Sequence, residues 1–160
     1  MAIAQFKDLA IDAGDPARLG AFWAAALGRT WTVMADPEGG EFDAFPRDEV
    51  PAERLHGLVV DSADAKAQAR WWAEVYGVSV TENDGWSTLE NVPGMPILTM
   101  DFVPVPEPKT VKNRIHWDVT IPAVAPLVAA GATVLHQPDG DVRWHVLADP
   151  EGNEFCVFTG

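Results

Sequence analysis

The sequence is poor in cysteine, in basic residues and in long apolar runs, and each shortage excludes a class of protein. A single cysteine, Cys156, has no partner for an internal disulfide, so the fold must rest on its core, and such usage agrees with a reducing compartment. Only 11 Lys and Arg stand against 24 Asp and Glu, a formal net charge of −13. Nucleic acid and anionic membrane surfaces repel such a chain at long range, and neither is an expected partner. No apolar run approaches the roughly 18 residues that a membrane-crossing helix requires. The opening MAIAQFKDLA has neither the basic start nor the apolar centre of a signal peptide, so the expected address is cytoplasmic.

What is present organises itself by repetition. The segment WTVMADPEGGEFDAF (31–45) lies over WHVLADPEGNEFCVF (144–158) with ten of fifteen positions identical. Each reads as a hairpin in which Asp-Pro-Glu-Gly makes the turn between two alternating strands. A second, weaker match places IDAGDPARLGAFWAAALG (11–28) over VDSADAKAQARWWAEVYG (60–77). Each is a strand end, an Asp N-cap (Asp15, Asp64), an amphipathic helix and a closing Gly (Gly28, Gly77). A third β–α unit follows in RIHWDVTIPAVAPLVAAGA, where Pro122 and Pro126 shorten the helix before Gly131.

Further strands are expected near 78–82, 86–90, 96–103, 132–136, 142–147 and 154–158, which gives two successive βαβββ modules, 54–106 and 111–160. The earlier copy reaches its hairpin within three residues of Gly28, so residues 1–45 form an incomplete βαββ module. PRDEVPAE (46–53) reads as the linker to a 54–160 domain.

In VKNRIHWDVTI (111–121), Lys112, Arg114, His116, Asp118 and Thr120 alternate with Val111, Ile115, Trp117, Val119 and Ile121. One face of this strand is apolar, and the other gathers both charge signs and an imidazole. Two readings of the polar face stand side by side. In one, His116 and Asp118 are a cavity acid/base or substrate-orienting pair with Arg114 ready for an anionic group. In the other, Arg114, Lys112 and Asp118 form a salt-bridge network into which His116 donates.

The Asp-X-X-Asp starts followed by an aromatic pair (Phe22-Trp23, Trp71-Trp72), the VPEPKTVKNRIHWDV segment and DPEGNEF together resemble the glyoxalase-like branch of the vicinal oxygen chelate superfamily, which includes bleomycin-resistance-type proteins. The resemblance implies an α+β fold in which paired βαβββ modules form a curved mixed sheet around a cavity with helices outside. The chain then resembles a shortened form of proteins that carry two such domains in tandem. In metal-dependent relatives the first and last strands of each module supply ligands to a divalent ion that polarises two vicinal substrate oxygens.

Carried onto this sequence, the resemblance places His116 at the first-strand ligand position. Cys156 stands at the last-strand position where relatives carry Glu, and Asp43 takes that place in the shortened module. For the 54–106 module the candidates are His56 or Leu58 on the first strand and Met100 or Asp101 on the last. Few of these suit a hard divalent ion, so no metal ligand is assigned. A zinc variant with His56, His116 and Cys156 has suitable donor types.

The expected function is a small-molecule binder in the sheet cavity without the usual metal. Catalytic candidates are His116 and Asp118, and ligand-binding candidates are Arg114, Cys156 and Trp86, the last as a stacking platform. The alternative is a metal-dependent lyase, isomerase or dioxygenase. Modules that close in pairs, with one left incomplete, lead us to expect a homodimer, or packing of residues 1–45 on the 54–160 domain. Asp149 to Gly152 read as a structural turn, and His136 and His145 as surface or packing residues.

Overall fold

The structure, a computed structural model, describes residues 2–11, 14–15, 18–19, 22, 32–44 and 55–160. In chain order its strands are β1 (Gln5–Ile11), β2 (Thr32–Ala35), β3 (Glu41–Ala44), β4 (Gly57–Ser62), β5 (Val80–Glu82), β6 (Ser87–Glu90), β7 (Thr99–Pro104), β8 (Ile115–Ile121), β9 (Thr133–His136), β10 (His145–Ala148) and β11 (Glu154–Thr159). Two described helices of more than one turn accompany them, α1 (Ala65–Tyr76) and α2 (Ala125–Ala129). Neither is long and apolar enough to cross a membrane. The chain divides into two compact units, Met1–Ala10 with Gly57–Gly160, and Ile11–His56.

The larger unit holds two sheets built to one plan. The four-stranded sheet runs β4-β7-β6-β5, with β4 and β7 parallel and the other pairs antiparallel. The other repeats that order as β8-β11-β10-β9, again with only its first and last strands parallel, and adds β1 beside β8. Two mixed βαβββ sheets are thus present, as the order of elements in the sequence implies. The first ten residues group with this unit because β1 completes the sheet edge, whereas the sequence divides more simply at residue 45. The 46–53 segment, Trp23, Gly28 and Trp31 lie outside the described residues.

Helix α1 forms where its caps say it should. The Asp64 carboxylate accepts from Ala67 N at 3.0 Å, and Gly77 closes the helix in the left-handed region at φ 69°, which a side chain would strain. Between them Ala65, Gln68, Ala69, Trp72, Ala73 and Tyr76 fall on one stripe at helical spacing, and all are buried. Five-residue α2 takes Pro126 in its first turn, where the missing N–H costs no hydrogen bond, and gives way to Gly131 at φ 112° just past its end.

Trp72 is fully buried and touches Trp71, Tyr76, Trp117 and Phe155, with ring centroids 4.8–5.3 Å apart. Its indole N–H donates to Asp149 Oδ2 at 3.1 Å, and the Gln68 amide and Asn153 Nδ2 donate to the same oxygen. The other oxygen, Oδ1, accepts from the backbone of Glu151 and Asn153 at 3.0 and 2.9 Å. Beside it, the Glu151 carboxylate accepts from Ala63 N and Asp64 N at 3.0 and 2.8 Å, at the N-terminal end of α1. The β10–β11 turn of the second module therefore clamps the helix of the first.

The smaller unit repeats this lock. Hairpin β2–β3 pairs Thr32 with Ala44 through Ala35 with Glu41. Asp36 Oδ1 accepts from Glu38 N and Gly40 N at 2.9 Å, the Glu38 carboxylate accepts from Gly14 N and Asp15 N at 3.0 Å, and Asp15 Oδ1 accepts from Arg18 N at 3.1 Å. Phe22 meets Phe42 edge to face at 5.7 Å, as Trp71 meets Phe155 at 6.3 Å. The repeat visible in the sequence is a hairpin that caps a helix, and it is made twice.

Burial pushes the Asp149 carboxyl above its ordinary range, while the hydrogen bonds from Asn153, Trp72 and Glu151 pull it back. Asp149→Ala would strand three buried side-chain donors, and we expect it to lower the unfolding free energy by about 3–5 kcal/mol in urea denaturation. A loss below about 1 kcal/mol would show the clamp to be incidental.

Candidate functional site

Strand β8 sorts its residues as the alternation requires. Trp117, Val119 and Ile121 are buried at 2%, 0% and 2% exposure, on the side where Trp117 meets α1. His116 and Asp118 take the other face, where parallel β11 sets Cys156 opposite Asp118. Strand pairing alone therefore brings two residues 38 positions apart into register. One donor atom from each of His116, Asp118 and Cys156 lies within 4.8 Å of the other two. His116 Nε2 is 3.9 Å from Asp118 Oδ1, an oxygen sealed from solvent that has no hydrogen-bond donor among the described residues.

Strand β1 adds a residue that the sequence reading passed over. Lys7 Nζ lies 3.6 Å from Asp118 Oδ2 and 4.1 Å from the centroid of the Phe158 ring. Phe158 in turn stacks on Trp144, with centroids 5.6 Å apart and planes at 25°. A signal for Lys7 existed, since buried Ala4 and Phe6 bracket Gln5 and precede it in strand alternation. The sequence repeat starts at Ile11, however, and gives no reason to look upstream. Trp144 also faces this cluster and interacts with the Cys156 thiol.

The entrance to β8 is held from the side. Glu154 accepts from Lys109 Nζ at 3.0 Å and Asn113 N at 3.1 Å, while Asn113 Nδ2 donates to Asn153 Oδ1 at 2.8 Å. Burial raises the Glu154 carboxyl, but the Asn113 N–H and the Lys109 ammonium outweigh it and hold the group below its ordinary value. The VPEPKTVKN segment is thus tied to β11, fixing where the polar face begins.

The other candidates are placed elsewhere. Arg114 is half-buried one residue ahead of β8. Trp86, 41% exposed, closes the β5–β6 turn by accepting from Asn83 N at 2.8 Å. Leu58 and Met100 are buried on strands β4 and β7, His136 and His145 sit on β9 and β10, and Asp43 is exposed on β3. His56 does not belong to the three-donor cluster. Counting back from the strand ends, Gly57, Val59 and Asp101 are the counterparts of His116, Asp118 and Cys156. A side chain at Gly57 would start 2.4 Å from Thr99 Oγ1, and Asp101 is engaged by the Thr88 and Thr99 hydroxyls.

These residues can be tested against the divalent ion that the resemblance implies. Imidazole, carboxylate and thiol suit zinc by type. Their charge environment does not, because the carboxylate already holds an ammonium. An ammonium held against the same carboxylate opposes a divalent ion there, an opposition that the 36% exposure of the Lys7 side chain screens but does not remove. The counterpart positions on the four-stranded sheet offer a single carboxylate, itself committed to two hydroxyls. As the side chains stand, the set does not fit a resident divalent ion.

Burial, and then the charge of Asp118, push the Cys156 thiol up to about 11, with the Trp144 indole and the Lys112 ammonium pulling weakly the other way. The raised value keeps Cys156 a neutral thiol at neutral pH, so it is a poor nucleophile. A folded value of about 11 against an ordinary 9.0 means that the folded state favours the protonated thiol. That contribution to stability is complete below about pH 9 and fades as pH rises towards 11. We expect iodoacetamide near pH 8 to alkylate the folded protein about a hundredfold more slowly than the urea-unfolded chain. Equal rates would mean the thiolate is not disfavoured.

Comparison with known proteins bears on fold and family. Residues 57–158 match the glyoxalase-like domain family. No curated protein matches the chain in sequence. Among solved structures, a point variant of glyoxalase I from Zea mays is similar at TM-score 0.53 and 14% identity, over 98% of this chain and 69% of that one. A possible glyoxalase from Bacillus cereus is similar at TM-score 0.50 and 15% identity, over 65% of this chain and 96% of that one. A glyoxalase/bleomycin resistance protein/dioxygenase family enzyme from Burkholderia phytofirmans gives TM-score 0.49 and 18% identity over 64% and 95%. With most of its length matched and both sheets in the repeated order, the chain belongs to the glyoxalase-like domain family.

Proposed function

We propose that this protein binds a small oxygenated molecule on the polar face of the five-stranded sheet, without a resident metal ion. The observation that carries the reading is the convergence of His116, Asp118 and Cys156 beside the Lys7 ammonium. In this reading the ammonium donates to a ligand oxygen, and Asp118 holds Lys7 and His116 in place. His116 serves as the proton donor or acceptor, and the Trp144–Phe158 stack offers a flat apolar surface beside them. Arg114, at the head of β8, would meet an anionic group of the ligand, and Trp86 a ring reaching the β5–β6 turn.

A second reading, a metal-dependent lyase, isomerase or dioxygenase, is favoured by the closeness of the three donor atoms. The two separate on elemental analysis of protein purified without added metal. The binder reading expects only trace metal, together with a raised melting temperature for at least one member of a panel of small carbonyl and carboxylate compounds. Stoichiometric Zn, Ni, Mn or Fe would overturn it in favour of the enzyme.

We also propose that the chain works as a homodimer. Light scattering should then return twice the 17.3 kDa chain mass. A monomer whose first 45 residues are rapidly proteolysed would sink that proposal.

A further inference from the structure

We infer that Lys7 is the site's built-in cation: its ammonium takes the electrostatic place of the divalent ion, and its removal turns the cluster into a metal-binding site. The inference rests on the metal-free reading above and names the residue responsible for it.

Three observations support it. First, the ammonium is 3.6 Å from Asp118 Oδ2, the carboxylate at the centre of the three-donor cluster. Second, it is held from another direction by the Phe158 ring at 4.1 Å, a cation–π contact that defines where the charge sits. Third, Asp118 is only 9% exposed, and its other oxygen is sealed and lacks a hydrogen-bond donor among the described residues. A buried carboxylate in that state needs positive charge nearby. Lys7 supplies one unit of it. With a neutral side chain at position 7, a carboxylate, an imidazole and a thiol would remain together with one cation fewer, the Lys112 ammonium acting on the Cys156 thiol and not held against Asp118 as Lys7 is. That is the donor set that zinc or cobalt(II) completes, displacing the thiol proton as it binds.

Cobalt(II) is the probe, because a thiolate-to-cobalt charge-transfer band reports sulfur ligation directly and needs no knowledge of substrate. Wild type, Lys7→Met, Lys7→Gln, Lys7→Arg and the double variant Lys7→Met/Cys156→Ser are titrated at one near-neutral pH, after each is shown to melt cooperatively. Two neutral replacements are included so that a folding defect in one does not decide the outcome. We expect no charge-transfer band from wild type or Lys7→Arg. The neutral variants should show the band and bind cobalt about 10–100-fold more tightly than wild type, and Cys156→Ser should abolish the band.

If wild type is metal-free and both neutral variants stay silent, the inference fails while the metal-free reading stands. A band from wild type overturns both. A band from Lys7→Arg equal to that of Lys7→Met would show that the charge at position 7 is not the determinant and overturn the inference alone.

Discussion

The carboxylate of Asp149 is the point on which the larger unit depends. It collects the indole of Trp72, the amides of Gln68 and Asn153 and two backbone N–H groups, joining the helix of the first βαβββ module to the closing hairpin of the second. A buried carboxylate is costly unless its lone pairs are met, and here five donors meet them. The aromatic contacts of Trp72 with Trp117 and Phe155 bring the apolar faces of β8 and β11 under α1. With those faces committed to the core, the opposite sides of the same strands carry His116, Asp118 and Cys156. Which face of these strands is left for the cluster follows from where the buried hydrogen bonds are made.

The two modules use one architecture for unequal chemistry. On the five-stranded sheet, matched positions carry imidazole, carboxylate and thiol; on the four-stranded sheet they carry Gly57, Val59 and Asp101, the last consumed by two hydroxyls. Pairing through β11 puts Cys156 against Asp118, and burial there leaves the sulfur protonated. Lys7 then adds positive charge from β1, a strand separated from β8 by more than a hundred residues of sequence. The candidate cluster is thus concentrated on the five-stranded sheet, with a cationic side chain contributed by its edge strand.

Much of the fold was legible in the sequence because it is written in local signals. Asp64 and Gly77 bound α1 as their capping chemistry dictates, Pro126 sits in the first turn of α2, and the alternation from Ile115 to Ile121 states which face is buried. The doubled DPEG hairpin could be recognised as a repeat. Its work could not, because Glu151 and Asp149 act on Ala63, Asp64, Gln68 and Trp72, some eighty residues away, and no local pattern encodes that distance. His116, Asp118 and Cys156 could be grouped by strand parity and family resemblance. Lys7 could not, since its importance comes from β1 lying beside β8, a pairing that leaves no periodic trace in either strand.

The same distinction explains why the N-terminal segment bears on the candidate cluster. Its hairpin and helix start reproduce the Asp–Glu clamp within Ile11–His56, so the repeated element is a locking device. Its first strand has a separate role. At the start of β1 the described burial alternates, with Phe6, like Ala4 just before the strand, buried and Gln5 and Lys7 exposed. The alternate positions are free of the core's demand for apolar volume, so a charged residue costs little there. Lys7 occupies such a position, and pairing beside β8 puts its ammonium against a carboxylate that needs one. One strand, placed beside β8 by sheet pairing, is enough to bring that charge to a carboxylate more than a hundred residues away in sequence.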